Sequence, residues 1–265
     1  MERCGEEGAA AELMGLEEGT RLVRFLQDGE VRCGRLVGEE VELGLSPAGR
    51  KYGVEGLKFL TPVVPGTIWC IGLNYREHAR ESNMAIPDEP CVFMKPRTCL
   101  IAQGDPIRLP SWAGRVDYEG ELAVVIGRTC KNVDEAGASD CVLGYSCFND
   151  VSARVLQHRD GQWIRAKGFD TFGPFGPALL VTRKMPEAAK LTTRLNGNVV
   201  QRGHFGDMIF SVPAIVAHLS RFATLQPGDV IATGTPSGVG PVSVGDVVEI
   251  DIEGIGVLKN PVAGE

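Results

Sequence analysis

Short apolar runs, each ended within a few residues by glycine or proline, limit what this chain can fold into. With 34 glycines and 16 prolines among 265 residues, runs such as Thr67–Gly72, Val142–Asn149, Val230–Ala232 and Val247–Ile252 have strand length between breakers. Further strands are predicted at Cys91–Met94, Glu121–Ile126, Ala178–Val181 and Thr192–Leu195. Helical signal is sparse: Tyr75–Ser82, Val151–Arg159 and Val212–Phe222, the last with Ile215, Val216, Leu219 and Phe222 on one face. No strand–helix–strand unit repeats, so a doubly wound nucleotide-binding fold is a poor fit. The loop Gly234-Thr235-Pro236-Ser237-Gly238-Val239-Gly240 lacks a phosphate-loop lysine, and Pro236 prevents a helix from starting in the usual register. It reads as a turn after a strand whose backbone amides could hold an anion.

Ahead of this strand-rich body, Leu22–Phe25, Glu30–Val37 and Glu40–Leu43, with Asp28-Gly29 as a hairpin turn, predict a small antiparallel unit. The expected division is a Glu-, Gly- and Ala-rich extension over 1–18, a small β domain over 19–62 and a main domain over 63–265. A hydrophobic fraction of 43% allows a sizeable core. The net charge of −7, without a basic cluster interleaved with aromatics, argues against a nucleic-acid partner. No uninterrupted apolar stretch would span a bilayer, and the first residues carry Glu2, Glu6, Glu7 and Glu12 rather than a leader pattern. The expectation is a cytoplasmic protein with no membrane partner. Eight scattered cysteines form no Cys-x-x-Cys pair, and the four histidines show no ligand spacing with them, so reduced thiols are expected and zinc is disfavoured.

Chemistry concentrates in Asp117-Tyr118-Glu119-Gly120-Glu121-Leu122-Ala123-Val124-Val125-Ile126-Gly127. In a strand, alternation would put Asp117, Glu119 and Glu121 on one face and Tyr118, Leu122, Val124 and Ile126 on the other. Neighbouring carboxylates repel unless a cation or donors compensate them, and all-oxygen ligation suits Mg²⁺, Mn²⁺ or Ca²⁺. Two readings follow: a hard-metal site, or a sheet with one wet acidic face. Asp150, at the end of the Val142–Asn149 run, is either an N-cap or turn residue or a third carboxylate for that site. His78 and Glu81, three residues apart, form either a base with a fixed tautomer or part of a solvated helix. Lys167 lies in a segment rich in glycine and aromatics, where a cation could stabilise an enolate or carboxylate. Arg154 and Gln157 share a helix face and either grip a substrate carboxylate or carbonyl, or simply solvate the helix.

From about Ile68 to Val262 the assembled residues resemble the fumarylacetoacetate hydrolase family. The resemblance is carried by Gly72-Leu73-Asn74-Tyr75, Phe93-Met94-Lys95-Pro96, the acidic segment, Asn149-Asp150-Val151-Ser152-Ala153-Arg154, Asp160-Gly161-Gln162-Trp163 and Lys167-Gly168-Phe169-Asp170-Thr171-Phe172. It continues through Leu195-Asn196-Gly197, Asp207-Met208-Ile209-Phe210, Pro227-Gly228-Asp229 and Thr233–Gly240. It implies an α+β, strand-rich mixed-β roll behind a small N-terminal domain, and a homodimer. It also implies Glu119, Glu121 and Asp150 as ligands of Mg²⁺ or Mn²⁺ (or Ca²⁺), His78, Glu81 and Lys167 as catalytic, and Arg154, Gln157 and Thr235 on the substrate side. Family members act on 2-oxo acids or their enols. The leading expectation is C–C hydrolysis of an acylpyruvate- or fumarylpyruvate-type substrate through a stabilised enolate, with His78, oriented by Glu81, activating water. The alternatives are isomerisation or decarboxylation of a 2-hydroxy-dienedioate, decarboxylation or tautomerisation of oxaloacetate, and a 2-oxo acid binding protein without turnover. Gln201-Arg202-Gly203-His204-Phe205-Gly206 departs from the polar segment many members carry, and no role is assigned to His204. Asp117 matches no ligand and is read either as structural or as a residue that supports the ligands from behind.

Overall fold

A computed structural model describes residues 13–45 and 49–265. In it, the punctuated apolar runs become strands. The strand Gly120–Ile126 lies centrally in the largest sheet and is buried along its whole length. On one side it pairs antiparallel with Val142–Asn149, which in turn pairs with Gly173–Val181. On the other it pairs with Val230–Ala232, followed by Ile68–Gly72 in parallel and Cys91–Lys95 at the edge. Its continuous apolar composition follows from having both faces covered. Leu122, Val124 and Ile126 pack into a cluster with Ile215, Val216 and Leu219 of the helix Val212–Phe222, while Ala123 and Val125 join Ile68, Cys70 and Phe148 on the other side. Fully burying one such leucine or isoleucine contributes about 1.5–3 kcal/mol.

The N-terminal strands extend this sheet: Arg21–Gln27 pairs with Gly173–Val181 through Arg21↔Leu180 and Leu22↔Leu179. Arg21–Gln27 and Glu30–Val37 are joined at Asp28 and Gly29, with φ of 52° and 80°, the left-handed pair that a two-residue hairpin requires. Of the expected 1–18 extension, residues 1–12 lie outside the described residues, whereas Leu13 is buried in the second cluster. A five-stranded sheet runs Asn198–His204, Lys190–Leu195, Val247–Ile252, Gly256–Gly264, Ile107–Leu109, and a three-stranded sheet places Val116–Tyr118 between Ser152–Ala153 and Gly240–Pro241. No helix among the described residues is long and apolar enough to cross a membrane.

Three local outcomes differ from the sequence expectation. The acidic segment is not one strand: it breaks at Glu119, with Val116–Tyr118 in the three-stranded sheet and Gly120–Ile126 in the large one. Gly120 permits the crossing, since a Cβ there would lie 2.2 Å from Thr193 Oγ1. The helix expected from Val151 starts at Arg154, because Ser152 and Ala153 are held as a strand opposite Asp117 and Val116. Asp150 is therefore not that helix's N-cap. Finally, Val212–Phe222 forms as expected, with Ser211 capping Ala214 N at 3.3 Å, but Phe222 is 56% exposed and meets Trp69 edge-on instead of entering the core.

Candidate active site

The crossing at Glu119 builds the site. Glu119 N donates to Asn149 Oδ1 (2.9 Å) and Asp150 N donates to Glu119 O (2.9 Å), so the strand break and the end of Val142–Asn149 are fastened to each other. Pairing of Glu121 with Phe148 brings the third carboxylate alongside. Ligand oxygens of Glu119, Glu121 and Asp150 all lie within 4.8 Å of one another, and the three residues are 4%, 2% and 1% exposed. A wet acidic face is thereby ruled out.

Such a cluster stands only if its charge is opposed. Lys167, ending the short helix Ile164–Lys167, places Nζ 2.8 Å from Glu119 Oε2, 2.6 Å from Asp150 Oδ2 and 2.7 Å from Ser152 Oγ. Lys95, the last residue of the strand Cys91–Lys95, reaches Asp150 Oδ1 at 2.6 Å and Val151 O at 3.3 Å. Arg154 pairs with Glu119 and bonds Gln157 Oε1 at 2.7 Å. Burial alone would raise the Glu119 carboxyl, but Arg154 and Lys167 outweigh it and hold it well below the usual carboxylate range. Burial likewise disfavours the Lys167 ammonium, yet Asp150 and Glu119 keep it firmly protonated. Glu121 differs. Burial first, then the charges of Asp150 and Glu119, push its carboxyl well above the ordinary range, with the Gly234 amide (2.9 Å to Oε2) a partial offset. A buried, all-oxygen donor set with one under-compensated carboxylate has the chemistry of a hard divalent-cation site.

A cavity of about 970 Å³ opens onto these carboxylates. His78, Glu81, Arg154, Gln157, Lys167 and Thr235 all line it. The helix Arg76–Glu81 carries His78 with Nδ1 3.3 Å from Glu81 Oε2, and Glu81 in turn accepts from Gly238 N at 3.1 Å. This helix is tied down at its start by Asn74, fully buried, whose side chain bonds Thr233 O (2.7 Å), Phe210 O (3.0 Å) and Phe210 N (2.8 Å). The glycine-rich loop does hold anions, but two of its amides hold the protein's own: Gly234 serves Glu121 and Gly238 serves Glu81. Gly234 has φ +97°, and a Cβ there would lie 2.7 Å from Asn74 Cβ, so only glycine fits. Thr235 donates to Gly120 O (2.9 Å) and accepts from Gln201 Nε2 (2.8 Å), which makes the unexpected Gln201 a buried brace of the loop. His204, by contrast, is exposed, facing Ala188 O at 3.2 Å.

Lys95 is the site residue that sequence reasoning left without a role. Its signal was a lone cation ending an otherwise apolar strand, which periodicity cannot distinguish from a strand terminus in solvent. Of the two readings of Asp117, its contacts favour support of the site: at 1% exposure it accepts from both Arg115 and Arg154.

A family model described as "Fumarylacetoacetate (FAA) hydrolase C-terminal" matches residues 67–263. An uncharacterized protein of Archaeoglobus fulgidus is 53% identical over 80% of this chain and 84% of its own. The oxaloacetate tautomerase fahd2, mitochondrial, of Xenopus laevis is 43% identical over 78% of this chain and 68% of its own. Among solved structures, the 2-hydroxyhepta-2,4-diene-1,7-dioate isomerase of Mycobacterium marinum superposes with a TM-score of 0.83 at 41% identity, covering 93% of this chain and 99% of that one. The fumarylacetoacetate hydrolase of Exiguobacterium antarcticum gives 0.83 at 33% identity, covering 93% and 100%.

Proposed function

The chain belongs to the fumarylacetoacetate hydrolase family, and we propose that it is a divalent-metal-dependent tautomerase or isomerase of a 2-oxo diacid or its enol, in preference to the C–C hydrolase that the sequence favours. The carrying observation is a fixed acid–base pair and a buried ammonium facing one cavity with the three carboxylates. Tautomerisation needs only a base that takes a proton from carbon, a cationic environment for the enolate, and return of a proton at another atom. Support also comes from the names of the solved structures: the two named isomerases are each 41% identical, the named fumarylacetoacetate and maleylpyruvate hydrolases 33% and 30%, while among the relatives a tautomerase is 43% and a putative hydrolase 47% identical.

Glu119, Glu121 and Asp150 would hold Mg²⁺ or Mn²⁺, which when bound would polarise the carboxylate and 2-oxygen of such a substrate. The remaining work falls to the chain's own groups. Lys167 would face the oxygen on which charge develops. Arg154 and Gln157 would grip a carboxylate, and Thr235, held by Gln201 and Gly120, would shape the cavity floor. His78, its ring set by Glu81, would carry the proton off C3 and deliver it again, with no water consumed. A cytoplasmic homodimer belongs to the same reading.

The test follows enol absorbance of oxaloacetate and of a 2-hydroxy-dienedioate with Mg²⁺, and identifies products. Metal-dependent loss of the enol signal without bond cleavage is expected, and His78→Ala should slow it about 10²- to 10⁴-fold. Faster release of pyruvate and a carboxylic acid from an acylpyruvate would return the assignment to hydrolase.

A further inference from the structure

We propose that Asp117 is a positioning residue that aims Arg154 into the cavity, an inference that rests on the reading of Arg154 as the carboxylate grip. Asp117 Oδ2 accepts from Arg154 Nε at 2.8 Å and from Arg115 Nη2 at 3.1 Å, while Oδ1 accepts from Arg115 Nε at 2.7 Å. The geometry is imposed by backbone rather than by two long side chains meeting. Asp117 pairs with Ser152 and Val116 with Ala153 in the three-stranded sheet, and Arg154 N donates to Arg115 O at 2.9 Å. Only the Nε edge of Arg154 is occupied by Asp117. Its terminal nitrogens are left on the cavity side, one on Gln157 and one beside Glu119.

Two carboxylates therefore compete for one guanidinium. A planar guanidinium prefers a bidentate fork on a carboxylate. Without the negative charge of Asp117, Glu119 becomes the dominant partner and Arg154 swings onto it, leaving Gln157 and any substrate carboxylate. Asp117 thus divides the guanidinium: by holding the Nε edge it lets Arg154 meet Glu119 through one terminal nitrogen only and keeps the other on Gln157 at the cavity wall. Arg115 also lines the cavity, but its side chain is 55% exposed against 16% for Arg154, so Arg154 is the more enclosed of the two.

The experiment uses the full chain. The ¹⁵N signal of Arg154 Nε–Hε, assigned by its loss in Arg154→Lys, should be protected from solvent exchange in the wild type and altered in both shift and exchange in Asp117→Asn. In parallel, oxalate affinity is measured calorimetrically with Mg²⁺ for wild type, Asp117→Asn, Arg154→Gln and the double variant. Asp117→Asn should weaken oxalate about 10- to 100-fold, the usual effect of removing an orienting partner at a metal site, and add less than about twofold once Arg154 is gone. An unchanged Nε–Hε signal, or additive losses, would overturn the proposal. Should Arg154→Gln leave oxalate binding intact, the grip assigned to Arg154 fails, and the Nε–Hε signal still decides whether Asp117 positions it. If Asp117→Asn does not fold, Asp117→Glu moves the same charge by one methylene and must shift the signal likewise, or the proposal falls.

Discussion

Lys95→Met tests whether the site is a balanced buried charge cluster. The Lys95 side chain is fully buried, and its Nζ lies 2.6 Å from Asp150 Oδ1. At that separation, with an effective dielectric near 20, the attraction is about 6 kcal/mol before desolvation. Removing one partner of a buried pair costs about 3–5 kcal/mol, because the other charge stays behind. Lys167 remains 2.6 Å from Asp150 Oδ2 and favours the lower end. At about 2.1 cal/mol/K per residue, the 265-residue chain unfolds with about 0.56 kcal/mol/K, so Tm should fall by about 5–9 °C. Calorimetry in EDTA measures this loss. Repeating it with Mn²⁺ should raise the Tm of the variant more than that of the wild type, since a cation among Glu119, Glu121 and Asp150 replaces the missing charge. A Tm within about 2 °C of wild type, or equal Mn²⁺ shifts in both proteins, would refute the charge-balance argument.

Glu119→Gln should lose Mn²⁺ binding, read by electron paramagnetic resonance, together with metal-dependent turnover; retention of both would remove Glu119 from the ligand set. Gly234→Ala should lower stability by at least about 1–3 kcal/mol in urea unfolding, since it combines a positive φ with a Cβ 2.7 Å from Asn74 Cβ and displaces the amide that serves Glu121. Cys91 is the exposed thiol among the described cysteines, and partial burial raises its pKa. Because the thiolate is the reactive form, a raised pKa leaves less of it at neutral pH, so iodoacetamide labelling mapped by mass spectrometry should still be climbing well above pH 8. Cys99, pushed by burial to about 11, should stay unlabelled; a plateau for Cys91 by pH 8 would contradict the shift.

Much of the fold is legible in local pattern. Val142–Asn149, Val230–Ala232, Val247–Ile252 and Val212–Phe222 form with the bounds their composition suggests, because apolar periodicity and flanking breakers act over a few residues. What pattern could not supply was pairing. Ser152 and Ala153 read as helix and became strand because Asp117 and Val116 lie opposite them. Phe222 shares an apolar face with Ile215, Val216 and Leu219 by periodicity, yet only those three are buried, and Phe222 stays 56% exposed against Trp69.

The candidate site divides in the same way. Residue type makes Glu119, Glu121, Asp150 and Lys167 candidates, and the resemblance to the family, carried by the order of many short motifs, selects them over a wet sheet face or a helix cap. Lys95, Asp117 and Gln201 acquire their places only in three dimensions, where residues 55, 37 and 34 positions away become their partners. Sequence alone therefore determined which chemically capable groups this chain carries and in what order, because side-chain identity and strand period are local properties. Whether each charge is buried, and by which opposite charge it is held, was decided by the tertiary structure: desolvation and Coulomb attraction depend on distance through space, and the crossing at Glu119 sets those distances.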